Sequence, residues 1–245
     1  MSKTVLTNVR AFAVGVDLTG NSNKIELSSE VEVKESTNYG SNGYKEVMGG
    51  LGSAEISGEG QWEAGDTTKV DDGAWAGLGG IGPWSISANA TAAVGDLAYF
   101  TQALRCDYKL LGEVGEVAPW TSTAKSAWPL VRGQFAHPPG TARTATGTGT
   151  GLNLGAIAAN KRLYASLHVL SVAGTTPSLT ARVESSVDNT FASPTTRLTF
   201  TAASAVSGQT LRTDGTAITD TWWRVAWTIS GTTPSFLFAA ALGIG

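Results

Sequence analysis

The chain has 245 residues, of which 15% are charged, below the ~25% of typical soluble domains, with 17 Lys and Arg set against 20 Asp and Glu. A net charge of −3 without clustered Lys and Arg excludes a nucleic-acid grip, and 42% hydrophobic residues exclude wholesale disorder. One cysteine, Cys106, excludes an intrachain disulfide framework and a Cys-based zinc site; two histidines, His137 and His168, leave little for metal or acid–base chemistry. Residues 1–20 lack a sustained apolar run and nowhere do about 18 apolar residues follow one another, so neither a secretory signal nor a transmembrane helix is expected. The composition reads as a soluble, β-rich, non-enzymatic protein with no metal and no cofactor.

In chain order, residues 24–35 (KIELSSEVEVKE) alternate with period two. Ile25, Leu27, Val31 and Val33 share one face; Lys24, Glu26, Glu30, Glu32 and Lys34 share the other. Residues 53–64 (SAEISGEGQWEA) repeat the pattern, with Ala54, Ile56, Trp62 and Ala64 opposite Glu55, Glu59, Gln61 and Glu63. The glycine-rich stretch 36–52 between them is too long for a tight hairpin turn and reads as an interaction loop. Residues 66–83 read as an irregular connection and 84–94 as a strand. In 95–105 (GDLAYFTQALR), Leu97, Phe100, Thr101 and Leu104 fall at i, i+3, i+4 and i+7 behind a possible Asp96 cap, which predicts one short helix. Residues 106–117 read as strand and turn, and Pro129–Phe135 as an apolar segment.

His-Pro-Pro-Gly at 137–140 breaks regular structure and opens a boundary. The Thr/Gly alternation that follows, to residue 150, is either a linker or the thin first strand of a second unit, 151–245. That unit contains a repeat: VAGTTPSL (172–179) and ISGTTPSF (229–236), each between apolar strands, each reading as a hairpin loop. A further strand is expected at Arg197–Ala203, with 185–195 and 204–221 as connections. Together these predict a mainly β fold: an N-terminal β-sandwich or barrel (1–136) with one short helix, then a C-terminal β-sandwich.

Charge is divided unevenly. Residues 1–150 hold 11 Lys and Arg against 16 Asp and Glu; residues 151–245 hold 6 against 4. The acidic faces of the two N-terminal strands must meet water, because like charges set opposite one another destabilise a sheet. They are either the solvated side of an antiparallel sheet or a surface that polyanions pass without sticking. A glycosidase reading of paired carboxylates lacks the apolar pocket that would raise one pKa. Asp66, Asp71 and Asp72 do not match the calcium-loop spacing. Cys106 reads as a structural thiol, His168 as a hydrogen-bonded core or edge residue, and His137 as a loop residue. Trp223, Val225, Trp227 and Ile229 form a core stripe, leaving Trp222 and Arg224 on the opposite face as a possible surface binding site.

The opening TNVRAFAVGVDLTGNSNKIELSSEVEVKESTNYGSNGYKEVMGGLGSAEISGEGQWEAG resembles the tail tube (major tail) proteins of long-tailed bacteriophages. The likeness rests on a short strand into VDLTG, a long strand ending near ESTNYG, a loop holding YKEVMGGLGS and a second long strand. LAYFTQALR matches the single helix of such folds, and the likeness spans about residues 1–136. RLYASLHVLSVAGTTPSLTARVESS and ITDTWWRVAWTISGTTPSFLFAAALGI look like a C-terminal part found in phage tail proteins of this kind. The resemblance implies subunits in hexameric rings that stack into a hollow tube for DNA passage in the virion, assembled in the host cytoplasm. It implies partners among other tail proteins, such as the tape measure and terminator, with double-stranded DNA in transit. On that scheme Glu26, Glu30, Glu32, Glu55, Glu59 and Glu63 face the lumen, and Ile25, Leu27, Val31, Val33, Ile56 and Trp62 enter the subunit core. Tyr39, Tyr44, Lys45, Glu46, Val47, Met48 and Leu51 then reach a neighbouring subunit or ring. The alternative is a tail decoration or fibre module that binds host-surface carbohydrate through Trp222 and Arg224.

Overall fold

A computed structural model describes residues 6–66 and 69–245. The fold is mainly β, with 14 strands joined in antiparallel pairings among the described residues. The first half contains β1 (Arg10–Ala13), β2 (Val16–Asp17), β3 (Ser22–Glu35), β4 (Val47–Gln61), α1 (Val70–Ala76), β5 (Ile81–Ser87), β6 (Leu97–Leu110), β7 (Pro119–Ser126) and β8 (Val131–His137). The second contains β9 (Gly147–Thr148), β10 (Leu152–Asn153), β11 (Leu163–Ser186), β12 (Thr195–Thr199), β13 (Ser207–Arg212) and β14 (Trp222–Ile244).

The helix expected at 95–105 is strand β6 instead. Its first half pairs with β5 on one side and β8 on the other, and both faces are covered: Ala98 and Phe100 on one core, Ala103 on another. Burial on both faces erases the period-two signal and leaves an apolar spacing that a helix also satisfies. The helix lies in the 66–83 stretch read as irregular. Gly73 sits inside α1 because any β-carbon there would come within 2.4 Å of Val16, so the glycine allows close packing. Residues 204–221, read as connection, hold β13, which pairs with β11 from Tyr164 to Val169.

Neither copy of the GTTP repeat is a hairpin turn. They lie in the middle of β11 and β14 and face each other across the same antiparallel ladder, which runs from Leu163–Ile244 to Ser186–Trp222. The ladder shifts register at this point, with Gly174 at φ 113° and Gly231 at φ 122°. Each glycine abuts the other copy: a β-carbon on Gly174 would meet Thr233 O at 2.7 Å, and one on Gly231 would meet Thr176 O at 2.8 Å. The repeat is thus a paired bulge at a local pseudo-two-fold, and it bends both long strands together. Leu163, Leu167 and Val169 before the bend and Leu179, Ala181 and Val183 after it line one core with Trp223, Val225 and Trp227. The expected Trp stripe is therefore buried, with Trp223 and Trp227 anchored by indole N–H bonds to Gly155 O (2.9 Å) and Ala145 O (3.0 Å).

The other face of β11 packs on the first half. His168 is fully buried; its Nδ1 accepts from the Gly15 N–H (3.3 Å) and its Nε2 donates to Ser85 Oγ (2.9 Å), which also meets Ser166 Oγ. Burial drives its pKa down to about 3, keeping the ring neutral. His137 is not a loop residue. It ends β8, stacks on Phe238 at 3.8 Å, and takes a 3.0 Å hydrogen bond from Arg143 Nε. Burial lowers its pKa to about 4, with the Arg143 charge acting the same way.

Candidate functional site

The long alternating strands β3 and β4 pair over Lys24–Glu59, Glu26–Ser57, Ser28–Glu55 and Glu30–Ser53. On its other side β4 pairs with β7, Glu59 with Thr121 and Glu55 with Lys125. β7 in turn pairs with β6, Thr121 with Lys109 and Thr123 with Asp107. Opposed residues share a face, so the four strands β3-β4-β7-β6 present Glu26, Glu30, Glu55 and Glu59 on one surface with Lys24, Lys109 and Lys125. Lys24 bonds Glu26 at 3.0 Å, and this contact, with Glu59 nearby, raises its pKa. Lys125 reaches Glu55 only at 3.9 Å, and Lys34 pairs with Glu32 further out.

The opposite face of the same sheet is apolar where it meets the body. Ile56, Trp120 and Ala124 are buried with Ile25 and Leu27 beside them, and Trp120 donates to Asn21 O at 2.9 Å. α1 backs this face through Val70 and through Tyr108, which donates to Asp71 Oδ1 at 3.0 Å. Burial, reinforced by Asp71, raises the Tyr108 pKa. Arg105 is also buried here, its guanidinium 5.0 Å from the Trp84 ring, and desolvation lowers its pKa to about 10.

Beyond Glu55 no third strand accompanies β3 and β4 among the described residues. From Ser28 through Ser53 every residue but Ser41 is exposed, so the pair leaves the body as a two-stranded arm. This corrects the expected burial of Val31 and Val33, which are 62% and 69% exposed. The interaction loop is also shorter than 36–52: Val47, Met48 and Leu51 belong to β4, and the turn is tied by Ser36 N–H to Glu46 O (2.9 Å) and Lys45 to Glu35 (3.2 Å). Tyr39 and Tyr44 stand fully in solvent on that turn. Val31, Val33, Val47, Met48 and Leu51 are thus exposed apolar side chains on an arm that also carries charged pairs.

Glu63 lies past the end of β4, apart from the other carboxylates. It is held by Lys69 (2.5 Å) and Asn21 Nδ2 (2.9 Å), contacts that lower its pKa. Arg224 is not free for a ligand: it pairs with the buried Glu184 at 2.8 Å, shared with Arg182, and lies 4.3 Å from the Phe191 ring. Trp222 is half-buried beside it. Cys106 is exposed on β6 rather than structural, at a register shift between Arg105 and Asp107. Among the described residues that bulge lies on an open edge: Asp107–Leu110 pair with β7 alone, and β3 pairs with β4 alone. Sequence reasoning missed the first part of β6 because the helical spacing of 95–105 hid it, whereas 106–117 reads as strand and turn and its 107–110 part is the edge strand here.

Among the described residues no group of three or more His, Cys, Asp or Glu could hold a metal ion, and no helix is long and apolar enough to cross a membrane. No protein family matches the sequence, and no curated protein matches it. Among solved structures, the chain is similar to the tail of an empty gene transfer agent particle with C6 symmetry, at 18% identity and a TM-score of 0.40 over 50% of this chain and 92% of that one. It is similar to the SPP1 Dit (gp 19.1) protein at 10% identity and a TM-score of 0.36, over 97% of this chain and 99% of that one. It is similar to the anti-feeding prophage baseplate at 13% identity and a TM-score of 0.37, over 52% and 93%.

Proposed function

We propose that this protein is a structural subunit of a phage tail that polymerises as stacked, hexameric rings into the tail tube. The observation that carries the reading is the four-stranded sheet β3-β4-β7-β6, carboxylated on one face and, among the described residues, unpaired along β3 and along Asp107–Leu110 at its outer edges. Four antiparallel strands make β3 and β6 run oppositely. Copies related by rotation therefore bring β3 of one beside the 107–110 edge of the next in antiparallel order, and the sheet continues from copy to copy until the ring closes. Closure removes the two open edges, which otherwise template uncontrolled pairing. The sequence resemblance over residues 1–136 supports the same assembly.

In such a ring the apolar back, with α1, lies outside and Glu26, Glu30, Glu55 and Glu59 line the bore. DNA phosphates are repelled within a Debye length of about 8 Å at physiological salt, and Lys24 and Lys125 on this face are paired with Glu26 and Glu55, so passing DNA meets carboxylates rather than a free lysine lining that would release its counterions. The subunit does no chemistry; its partners are its own copies, other tail proteins such as tape measure and terminator, and DNA in transit in the virion. The carbohydrate-binding alternative loses its motive, because Arg224 is committed to Glu184.

Negative-stain electron microscopy of concentrated purified protein tests the reading: rings or tubes are expected, and a protein that stays monomeric at every concentration would refute it. Replacing Glu26, Glu30, Glu55 and Glu59 together by Lys should leave the fold intact and impair DNA ejection. Normal ejection from such particles would remove the bore from this face.

A further inference from the structure

The chain that joins the two halves rides along β14. β8 pairs with β14 from Gln134–Leu242 to His137–Ala240, and the residues after it continue down the same edge, the one that β11 leaves free. Arg143 exchanges both backbone hydrogen bonds with Phe236, at 2.7 and 2.9 Å. β9 then pairs with Ala226 and Trp227, and β10 with Trp222 and Trp223. Residues 141–149 thus form a strap over the edge of β14, and Ala145 O takes the Trp227 indole N–H. Apart from Arg143 the strap is built of Thr, Ala and Gly, so little apolar burial of its own holds it down.

One side-chain contact fastens the strap to the body. His137 is 1% exposed, stacked on Phe238 and 5.0 Å from the Trp227 ring. Its Nδ1 lies 2.9 Å from Phe238 O, which can only accept, so Nδ1 carries the proton. Nε2 is then bare and takes the Arg143 Nε–H at 3.0 Å. Arg143 makes no ion pair among the described residues; its guanidinium stands 5.1 Å from the Trp227 ring. β14 meets the imidazole with Phe238 and Trp227, neither of them ionisable, so among the described residues Arg143 is the one charge acting on it. The Phe238 and Pro138 backbones favour a charged ring, and burial with the Arg143 charge outweighs them. A proton on Nε2 would reverse the contact, setting two N–H donors and two positive charges against each other across the same 3.0 Å.

We infer that residues 141–149 are a strap latched over β14 by neutral His137 and released when the ring takes up a proton. Release uncovers the Ala226–Phe236 edge and the Trp227 indole, while the β11–β14 ladder stays paired on the other side. The sign follows from the two states. In the closed strap burial holds the His137 pKa at about 4; with the strap open Nε2 meets water and the ring returns toward the ordinary ~6.5. Opening is therefore indifferent to pH above ~6.5 and grows as pH falls, approaching about 40-fold between pH 6.5 and 4.5. The latch explains why a histidine and an arginine sit together with no carboxylate between them, and it stands independently of the ring.

Hydrogen exchange of the full chain, followed by mass spectrometry and corrected for the intrinsic rate at each pH, tests the latch. Amides of 141–149 should exchange faster than those of Leu163–Val169 at every pH, and their opening should rise at least tenfold from pH 6.5 to 4.5. His137→Gln keeps an acceptor for Arg143 and takes up no proton, so its strap should lose that rise. Arg143→Ala should open the strap at pH 6.5 with Leu163–Val169 still protected. Should His137→Gln fail to fold, nuclear magnetic resonance of the parent's ring nitrogens decides: Nδ1–H alone at pH 6.5, and Nε2 protonation in step with strap opening. Strap and ladder exchanging together at every pH would overturn the latch. So would an acid response retained in full by His137→Gln, or a proton on Nε2 at neutral pH.

Discussion

Two long antiparallel pairs run through this protein, and they use the same ladder for different ends. β11 and β14 pair from Leu163–Ile244 to Ser186–Trp222 and are buried at both ends, with a bent, exposed middle. β3 and β4 pair from Ser22–Gly60 to Glu35–Val47, yet beyond the Ser29–Ala54 pair they are exposed on both faces. Backbone hydrogen bonds alone contribute modest net stability, so what a strand pair does depends on where its side chains go. The first pair holds the fold together; the second holds little in the isolated chain.

That contrast is sharpest for truncations. Phe238 is fully buried against His137 and Trp227, so Phe238→Ala should cost about 3–5 kcal/mol in urea unfolding. Acid acts on the same pair. His168 lies within β11 and His137 stacks on β14, and both have folded pKa values well below the ordinary ~6.5. The unfolded chain therefore binds protons that the native state refuses. Stability is fully present above ~6.5 and falls as pH drops toward the folded values. From pH 6.5 to 5 the loss should be about 1.6 kcal/mol for each histidine, read as a falling urea midpoint; a flat profile would contradict their buried neutral state.

Glycine substitutions draw the comparison more finely. Gly231→Ala places a β-carbon 2.8 Å from Thr176 O at φ 122°, so it should destabilise by more than about 1 kcal/mol. Gly49→Ala in the arm meets only Val31 Cγ1 at 3.4 Å and should change the unfolding midpoint little. Smallest of all, Val33→Ser should stay within about 0.5 kcal/mol of the parent in the monomer, as surface changes usually do, while weakening assembly in sedimentation. A large monomer effect would mean that the arm is packed after all.

Much of the N-terminal sheet was legible from the residues. The alternation of Lys24–Lys34 and of Ala54–Glu59 set both strands and the shared carboxylate face, because a side-chain period of two has no other regular solution. The stripe Trp223, Val225 and Trp227 was legible for the same reason. What misled was local ambiguity. Leu97, Phe100 and Leu104 suit a helix as well as a doubly buried strand, and Gly73 reads as a breaker until Val16 is seen against it. The two GTTP segments carry turn chemistry, which a paired bulge uses as readily as a hairpin.

By itself, then, the amino-acid order determined which residues alternate, which faces bear charge and that the protein is built of strands, since these follow from chain geometry and the cost of burying carboxylates. Only the tertiary structure decided that the repeats face each other 57 positions apart, that β6 completes a four-stranded sheet with open edges, and that Val31 and Val33 leave the core. Those outcomes depend on partners distant along the chain, and no local pattern specifies how far a strand outruns the body that covers it.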